Sequence, residues 1–270
     1  MDILEITGYA GALLIGLSLG LIGGGGSILT VPILVYLLRV EPVLATAYSL
    51  FIVGISALIG GVNYARKGLV DFKTGVVFTI PAFIAVYLTR LIIVPSLPDV
   101  LFNLGGYSLT KDIGILLLFA LLMVFASISM IRNKGTNNNE AEESKPTFNF
   151  PMILAEGLVV GVLTGLVGAG GGFLIIPALV LFAKLPMKKA VGTSLLIIAA
   201  KSLIGFIGDV QANEAIDWNF LLLFSGLSIL GIVIGTYFSK SIDSAKLKKG
   251  FGWFVLVMGT FMIVKEVFFQ

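Results

Sequence analysis

Lys201 is a cation set in an apolar surround, Leu195-Leu-Ile-Ile-Ala-Ala-Lys201-Ser-Leu-Ile-Gly. Counted eleven residues from Ala190, it lies about 16 Å along a helix, near the centre of a bilayer. A lysine at that depth costs at least about 2.5 kcal/mol on insertion scales, so a functional role is its default reading. The role its charge suits is attraction of an anion. Ser194, seven residues earlier, shares its helical face, with Thr193 beside it. Ser49 and Ser56 repeat that spacing, with Tyr48 beside Ser49 and Asn63 one step further on. Hydroxyls so placed can donate hydrogen bonds to an oxyanion. The competing roles are structural: Lys201 snorkels or pairs with a carboxylate such as Glu156, and the hydroxyls bond helix to helix.

Catalysis has little to work with. The chain has no histidine and no cysteine, which removes the commonest general base, thiol chemistry, disulfides and Cys metal sites. Glu156, Asp209 and Lys201 form no recognisable catalytic constellation, and no P-loop is present. The sequence predicts no enzyme, no cofactor, no metal and no nucleic-acid partner.

Two glycine runs are the other chemical feature. Gly23, Gly24, Gly25 and Gly26 precede Ser27, and Gly168, Ala169, Gly170, Gly171 and Gly172 form the second run. Four adjacent glycines weaken a helix by roughly 0.8–1 kcal/mol each relative to alanine. Lipid cannot satisfy a broken backbone, so such a break is tolerated only inside protein or along a watery cavity. Helices starting near Ile28 and Phe173 would aim unpaired N–H groups and a partial positive charge at the break, which suits an anion. Close helix packing is the alternative use of these glycines.

The elements that hold these residues follow from composition. Hydrophobic residues make up 57% of 270 and charged ones 12%, whereas soluble domains carry about a quarter charged. Apolar segments run at about 8–22, 28–39, 43–65, 74–94, 112–131, 150–167, 173–184, 190–208, 218–239 and 250–268. The fold class is all-α and polytopic in a membrane; strand alternation of the barrel kind is absent. The acidic start, Met1-Asp2-Ile3-Leu4-Glu5, predicts a retained first helix rather than a signal peptide. Residues 132–149, rich in Asn and Glu, read as a cytoplasmic linker between repeat 1 (1–131) and repeat 2 (150–270). Pro95 to Thr110 reads as a connection along the membrane surface.

A shift of 145 superimposes Gly16 on Gly161, Gly20 on Gly165, Gly23 on Gly168, Pro32 on Pro177, Ala45 on Ala190 and Ser49 on Ser194. Internal repeats of this kind characterise secondary transporters. If each glycine run turns the chain back, each half holds a re-entrant helix pair and three transmembrane helices, and the halves are inverted. Thirteen of the eighteen Lys and Arg then face one side, four (Arg39, Arg90, Lys111 and Lys265) face the other, and Lys201 is left inside. The positive-inside rule favours that arrangement and puts both termini outside. An unbroken helix over 8–39 would also be about 48 Å long, beyond a core of about 30 Å. Arg90 then reads as an interfacial anchor, Asp209 and Asp217 as solvated loop ends, and Trp218 and Trp253 as belt residues.

At these residues the chain resembles the sulfite exporter TauE/SafE family of membrane permeases. The resemblance rests on Gly-Leu-Ile-Gly-Gly-Gly-Gly-Ser-Ile-Leu-Thr-Val-Pro (20–32), Gly-Leu-Val-Gly-Ala-Gly-Gly-Gly-Phe-Leu-Ile-Ile-Pro (165–177) and Ala-Val-Gly-Thr-Ser-Leu (190–195). The first half reads Ala47-Tyr48-Ser49 where the second has Gly192-Thr193-Ser194. The resemblance implies transport of small sulfur-containing anions, such as sulfite or organosulfonates, across the cytoplasmic membrane. The expectation is a secondary transporter, an exporter by alternating access, with a passive anion channel or another small anion as the alternative. Its substrate site combines Gly23, Gly24, Gly25, Gly26, Ser27, Tyr48, Ser49, Gly168, Gly170, Gly171, Gly172, Thr193, Ser194 and Lys201. The expected partners are a small anion and the lipid bilayer of the cell membrane; a coupling proton or sodium ion and a homodimer are compatible with the sequence.

Overall fold

The structure is a computed structural model and describes residues 3–104, 107–132, 150–181, 183, 185–212, 216–238 and 244–268. The linker expected over 132–149 lies outside the described residues beyond Arg132, as do Lys134, Lys145, Lys184 and Lys240. Ten helices account for most of what is described: α1 Ile3–Ile22, α2 Gly26–Leu37, α3 Pro42–Arg66, α4 Phe72–Ser96, α5 Lys111–Arg132, α6 Phe150–Val167, α7 Gly172–Leu181, α8 Met187–Ala212, α9 Trp218–Phe238 and α10 Ser244–Phe268. Among the described residues, five helices are long and apolar enough to cross a membrane: α3, α4, α5, α8 and α9. Leu14, Ile84, Phe125, Leu222, Leu230 and Val257 are exposed along their helices. Such a surface would be a liability in water and is the lipid-facing belt of a multi-pass membrane protein.

Local sequence sets the helix ends. Pro42 opens α3 with its preset φ, and the Asp71 carboxylate accepts from Thr74 N at 2.9 Å to cap α4. Pro95 lacks an N–H and crowds the carbonyl four residues back, and the turn just before it, Thr89–Ile93, is widened, with Val94 N–H reaching Thr89 O. Strands β1 (Val100–Leu104) and β2 (Tyr107–Thr110) pair antiparallel, with a register shift between Val100 and Phe102.

Packing is reciprocal. α1 lies along α9 and α6 along α4; α3 packs on α9 and α8 on α4; α3 meets α8, and α5 meets α10. Each contact thus has a counterpart five helices on. Small residues make it possible, because lipid offers no hydrophobic drive between helices and close backbone approach must supply the attraction. A Cβ on Gly20 would sit 2.6 Å from Ile232 O, and one on Gly161 2.5 Å from Ala82 O.

Candidate functional site

The first glycine run turns the chain back on itself. Gly23 takes φ 76°, open to glycine at little cost, and α2 returns along α1 so that Gly8 lies against Leu38 and a Cβ on Gly11 would be 2.9 Å from Ile33 Cγ2. At the second run Gly168, Gly170 and Gly171 all have positive φ between α6 and α7. The arms are unequal, twenty and eighteen residues going in but only ten in α7 coming back, so α1 is longer than its apolar pattern suggested.

The two tips meet backbone to backbone. A Cβ on Gly24 would collide with Gly172 Cα, and one on Gly172 with Gly24 Cα. Val53 of α3 and Ile198 of α8 close round them: a Cβ on Gly170 would be 2.6 Å from Val53 and 3.4 Å from Ile198, with Ser27 Cβ at 3.3 Å. Val53 and Ile198 are themselves 145 residues apart and lie near the middles of α3 and α8, so the tips converge at mid-depth.

Lys201 reaches this meeting point. It is fully buried, and its Nζ lies 2.8 Å from where a Cβ on Gly171 would be. Nζ donates to Thr164 Oγ1 at 2.7 Å, and that hydroxyl donates onward to Val160 O at 2.7 Å. Among the described residues no carboxylate pairs with it; the ion pairs are Arg90–Asp209 and Lys111–Asp99. This overturns both competing roles for Lys201: Glu156 is not its partner, and a fully buried ammonium does not snorkel. Gly171 O accepts from Leu174 N and Ile175 N, both at 3.0 Å, so α7 begins beside the ammonium and aims its N-terminal dipole there. Lys201 and the start of α7 thus face each other, with no carboxylate paired to the lysine among the described residues.

The other expected residues divide. Gly23, Gly24, Gly26, Ser27, Gly168, Gly170, Gly171 and Gly172 are at the tips and buried, with Gly25 inside the first turn. Ser27 Oγ donates to Gly24 O at 2.7 Å and so braces its own tip. Ser49 is buried with an unpartnered hydroxyl. Ser194 Oγ turns back to Val191 O at 2.8 Å. Thr193 is drawn elsewhere: its Oγ1 accepts from Asp71 N at 2.9 Å and ties α8 to the α3–α4 connection. Tyr48 OH accepts from Asp217 N at 2.7 Å and lines a cleft of about 350 Å³ with Tyr9, Arg39, Glu41, Asp217 and Phe220. Further along the stripe, Ser56 donates to Ser228 Oγ at 2.9 Å and Asn63 to Thr236 Oγ1 at 3.3 Å, which binds α3 to α9. A second cleft, about 310 Å³, holds Asn63, Arg66 and Thr236 at the other end of α3. Neither cleft reaches Lys201, which is fully buried.

Two expectations are corrected outright. Arg90 is not an interfacial anchor but fully buried, carried inward by the widened turn of α4, with Nη1 at 2.8 Å from Thr46 Oγ1 and 3.3 Å from Asp209 Oδ1. Asp209 is accordingly buried rather than a solvated loop end, whereas Asp217 is exposed as expected and caps α9 by accepting from Phe220 N at 3.1 Å. Thr164 was missed too; its signal is a hydroxyl four residues ahead of Gly168 in an apolar stretch.

A polytopic helical bundle with paired backbone breaks meeting at mid-depth is the architecture of a membrane transporter. The chain belongs to the sulfite exporter TauE/SafE family, whose model matches residues 9–262. It is 30% identical over 254 residues to a protein of Xylella fastidiosa (strain 9a5c) named "Probable membrane transporter protein", covering 93% of this chain and 91% of that one. It is 28% identical over 246 residues to YunE of Bacillus subtilis (strain 168), which bears the same description, covering 85% and 83%. No solved structure matches the chain.

Proposed function

We propose that this protein is a secondary transporter that carries a small sulfur-containing oxyanion, such as sulfite or an organosulfonate, out across the cytoplasmic membrane. The observation that carries the reading is Lys201: a fully buried ammonium bonded to a neutral hydroxyl at 2.7 Å, with no carboxylate paired to it among the described residues, facing the start of α7. A buried charge without a counter-ion is costly, and a transported anion supplies one. The substrate class follows the family's description; the anion character follows the site. The two five-helix sets are inverted repeats that rock about the tips, opening first one cleft and then the other towards Lys201. A proton or a sodium ion supplies the coupling.

The test is uptake and exchange of radiolabelled sulfite in proteoliposomes. Wild type accumulates label faster when sulfite is preloaded inside, and Lys201→Gln loses transport while eluting as folded protein. Full activity in that variant sinks the role given to Lys201. Large chloride or sulfite currents without trans-stimulation would instead identify a channel.

A further inference from the structure

Arg90 lies outside the site built round Lys201, and its surroundings do not satisfy it. It is fully buried, yet Nη1 alone has partners, Thr46 Oγ1 at 2.8 Å and Asp209 Oδ1 at 3.3 Å. Among the described residues Nε and Nη2 have none, nor do Thr89 Oγ1 and Asp209 Oδ2. A guanidinium kept for structure normally takes a carboxylate through two parallel N–H···O bonds, and leaving buried charged donors unmade is among the more destabilising arrangements in a protein. Here the carboxylate takes a single, long bond at one corner. The two free groups, Nε–H and the adjacent Nη2–H, are one edge of the planar guanidinium, the fork that takes two oxygens of an oxyanion at once.

The fork is also close to the transport path. Thr46, which accepts from Arg90, is in contact with Gly168 at the second glycine tip, where a Cβ would collide with its Cβ. Arg90 Cβ packs on α8 at Gly208, next to Asp209, on the helix that carries Lys201 two turns earlier. Thr89 packs on Gly165, three residues before the same tip, at 2.7 Å from the position of its Cβ.

We propose that Arg90, with Thr89 and Thr46, forms a second anion station beside the α6–α7 tip, distinct from Lys201, that binds a small oxyanion on the Nε/Nη2 edge. It rests on the reading of the protein as an anion transporter. Asp209 holds the guanidinium in place through Nη1 and, being negative, weakens the bound anion. The station is therefore a weak holding site through which the anion enters or leaves the central one, rather than a trap. The sequence halves differ here: the shift of 145 sets Gly235 opposite Arg90, and α9 carries no arginine.

The experiment is equilibrium binding of radiolabelled sulfite to the full chain in detergent, with ethanesulfonate and chloride as competitors, in the Lys201→Gln background. That protein is expected to retain one sulfite site per chain, competed by ethanesulfonate and poorly by chloride. Adding Arg90→Lys, which keeps the charge but not the fork, weakens it by about tenfold or more. Adding Asp209→Asn instead tightens it by about tenfold, since a repelling charge is gone. The proposal is overturned if Arg90→Lys leaves sulfite binding unchanged, if Asp209→Asn weakens it, or if folded Lys201→Gln binds no sulfite while wild type does. If Lys201→Gln binds and transports like wild type while Arg90→Lys alone does not, the central reading fails and the Arg90 station stands.

Discussion

At residue scale, a buried ammonium has three N–H groups to place, and Thr164 gives Lys201 one oxygen among the described residues. Thr164→Val keeps the shape and removes that oxygen. It should lower thermal stability by an amount equivalent to about 1–3 kcal/mol, because the charge is left without its acceptor. Adding Lys201→Met should restore stability to at least the wild-type level while leaving no sulfite transport, since replacing a buried polar pair by apolar groups is often neutral or favourable. Melting curves and proteoliposome uptake on the two variants check this; a double variant less stable than Thr164→Val would show that Lys201 stabilises the fold. Lys201 was legible because a charge in an apolar run is conspicuous at any register. Thr164 was not, since a threonine in a membrane helix bonds to its own backbone by default, and only the fold brings α6 to α8. Arg90 was misread for a different reason. Its place among the few basic residues of the opposite side suggested an interfacial anchor, and the widened turn that holds it leaves no periodic trace.

At the scale of elements, the helices themselves were easy to read: nearly continuous apolar runs broken by Pro, Gly and charge leave few alternatives in a bilayer. The repeat spacing made the glycine pairs legible as well. What periodicity could not say is which helix each glycine faces, because a helix apolar all round has no preferred side. The structure answers with two seams, α1 on α9 and α6 on α4, where backbones touch. A Cβ on Gly20 would lie 2.6 Å from Ile232 O, and one on Gly157 2.8 Å from Phe78 O. Gly20→Leu and Gly157→Leu should therefore each cost about 1–3 kcal/mol or more through overpacking, whereas Gly226→Leu, with nothing within 4 Å of its Cβ, should be nearly silent. Fluorescence-detected size-exclusion after heating ranks the three. Equal losses at Gly226 and Gly20 would mean that the seams do not carry the packing.

For the whole molecule, the chain's lack of cysteine turns topology into a direct measurement. In the inverted arrangement Lys67 and Lys249 lie inside the cell, and Asp99 and Asp217 outside; all four are exposed. Single cysteines at these positions in intact cells should react with a membrane-impermeant maleimide at 99 and 217, and at 67 and 249 only after permeabilisation. Labelling of 67 without permeabilisation would exclude the orientation drawn from the Lys and Arg distribution. The same scale holds the closure round the tips: the 145-residue repeat pairs Val53 with Ile198 in sequence, but only the fold brings the two together there.

The contact of Gly24 with Gly172 has a mechanical consequence. Where side chains interdigitate, sliding one helix past another means crossing rotamer barriers. Where the tips touch, Gly24 and Gly172 meet each other through backbone alone, with Val53 and Ile198 closing round them. In the proposed rocking motion that junction would serve as a plain bearing, with no side chain of either glycine to disengage as the two halves turn against each other.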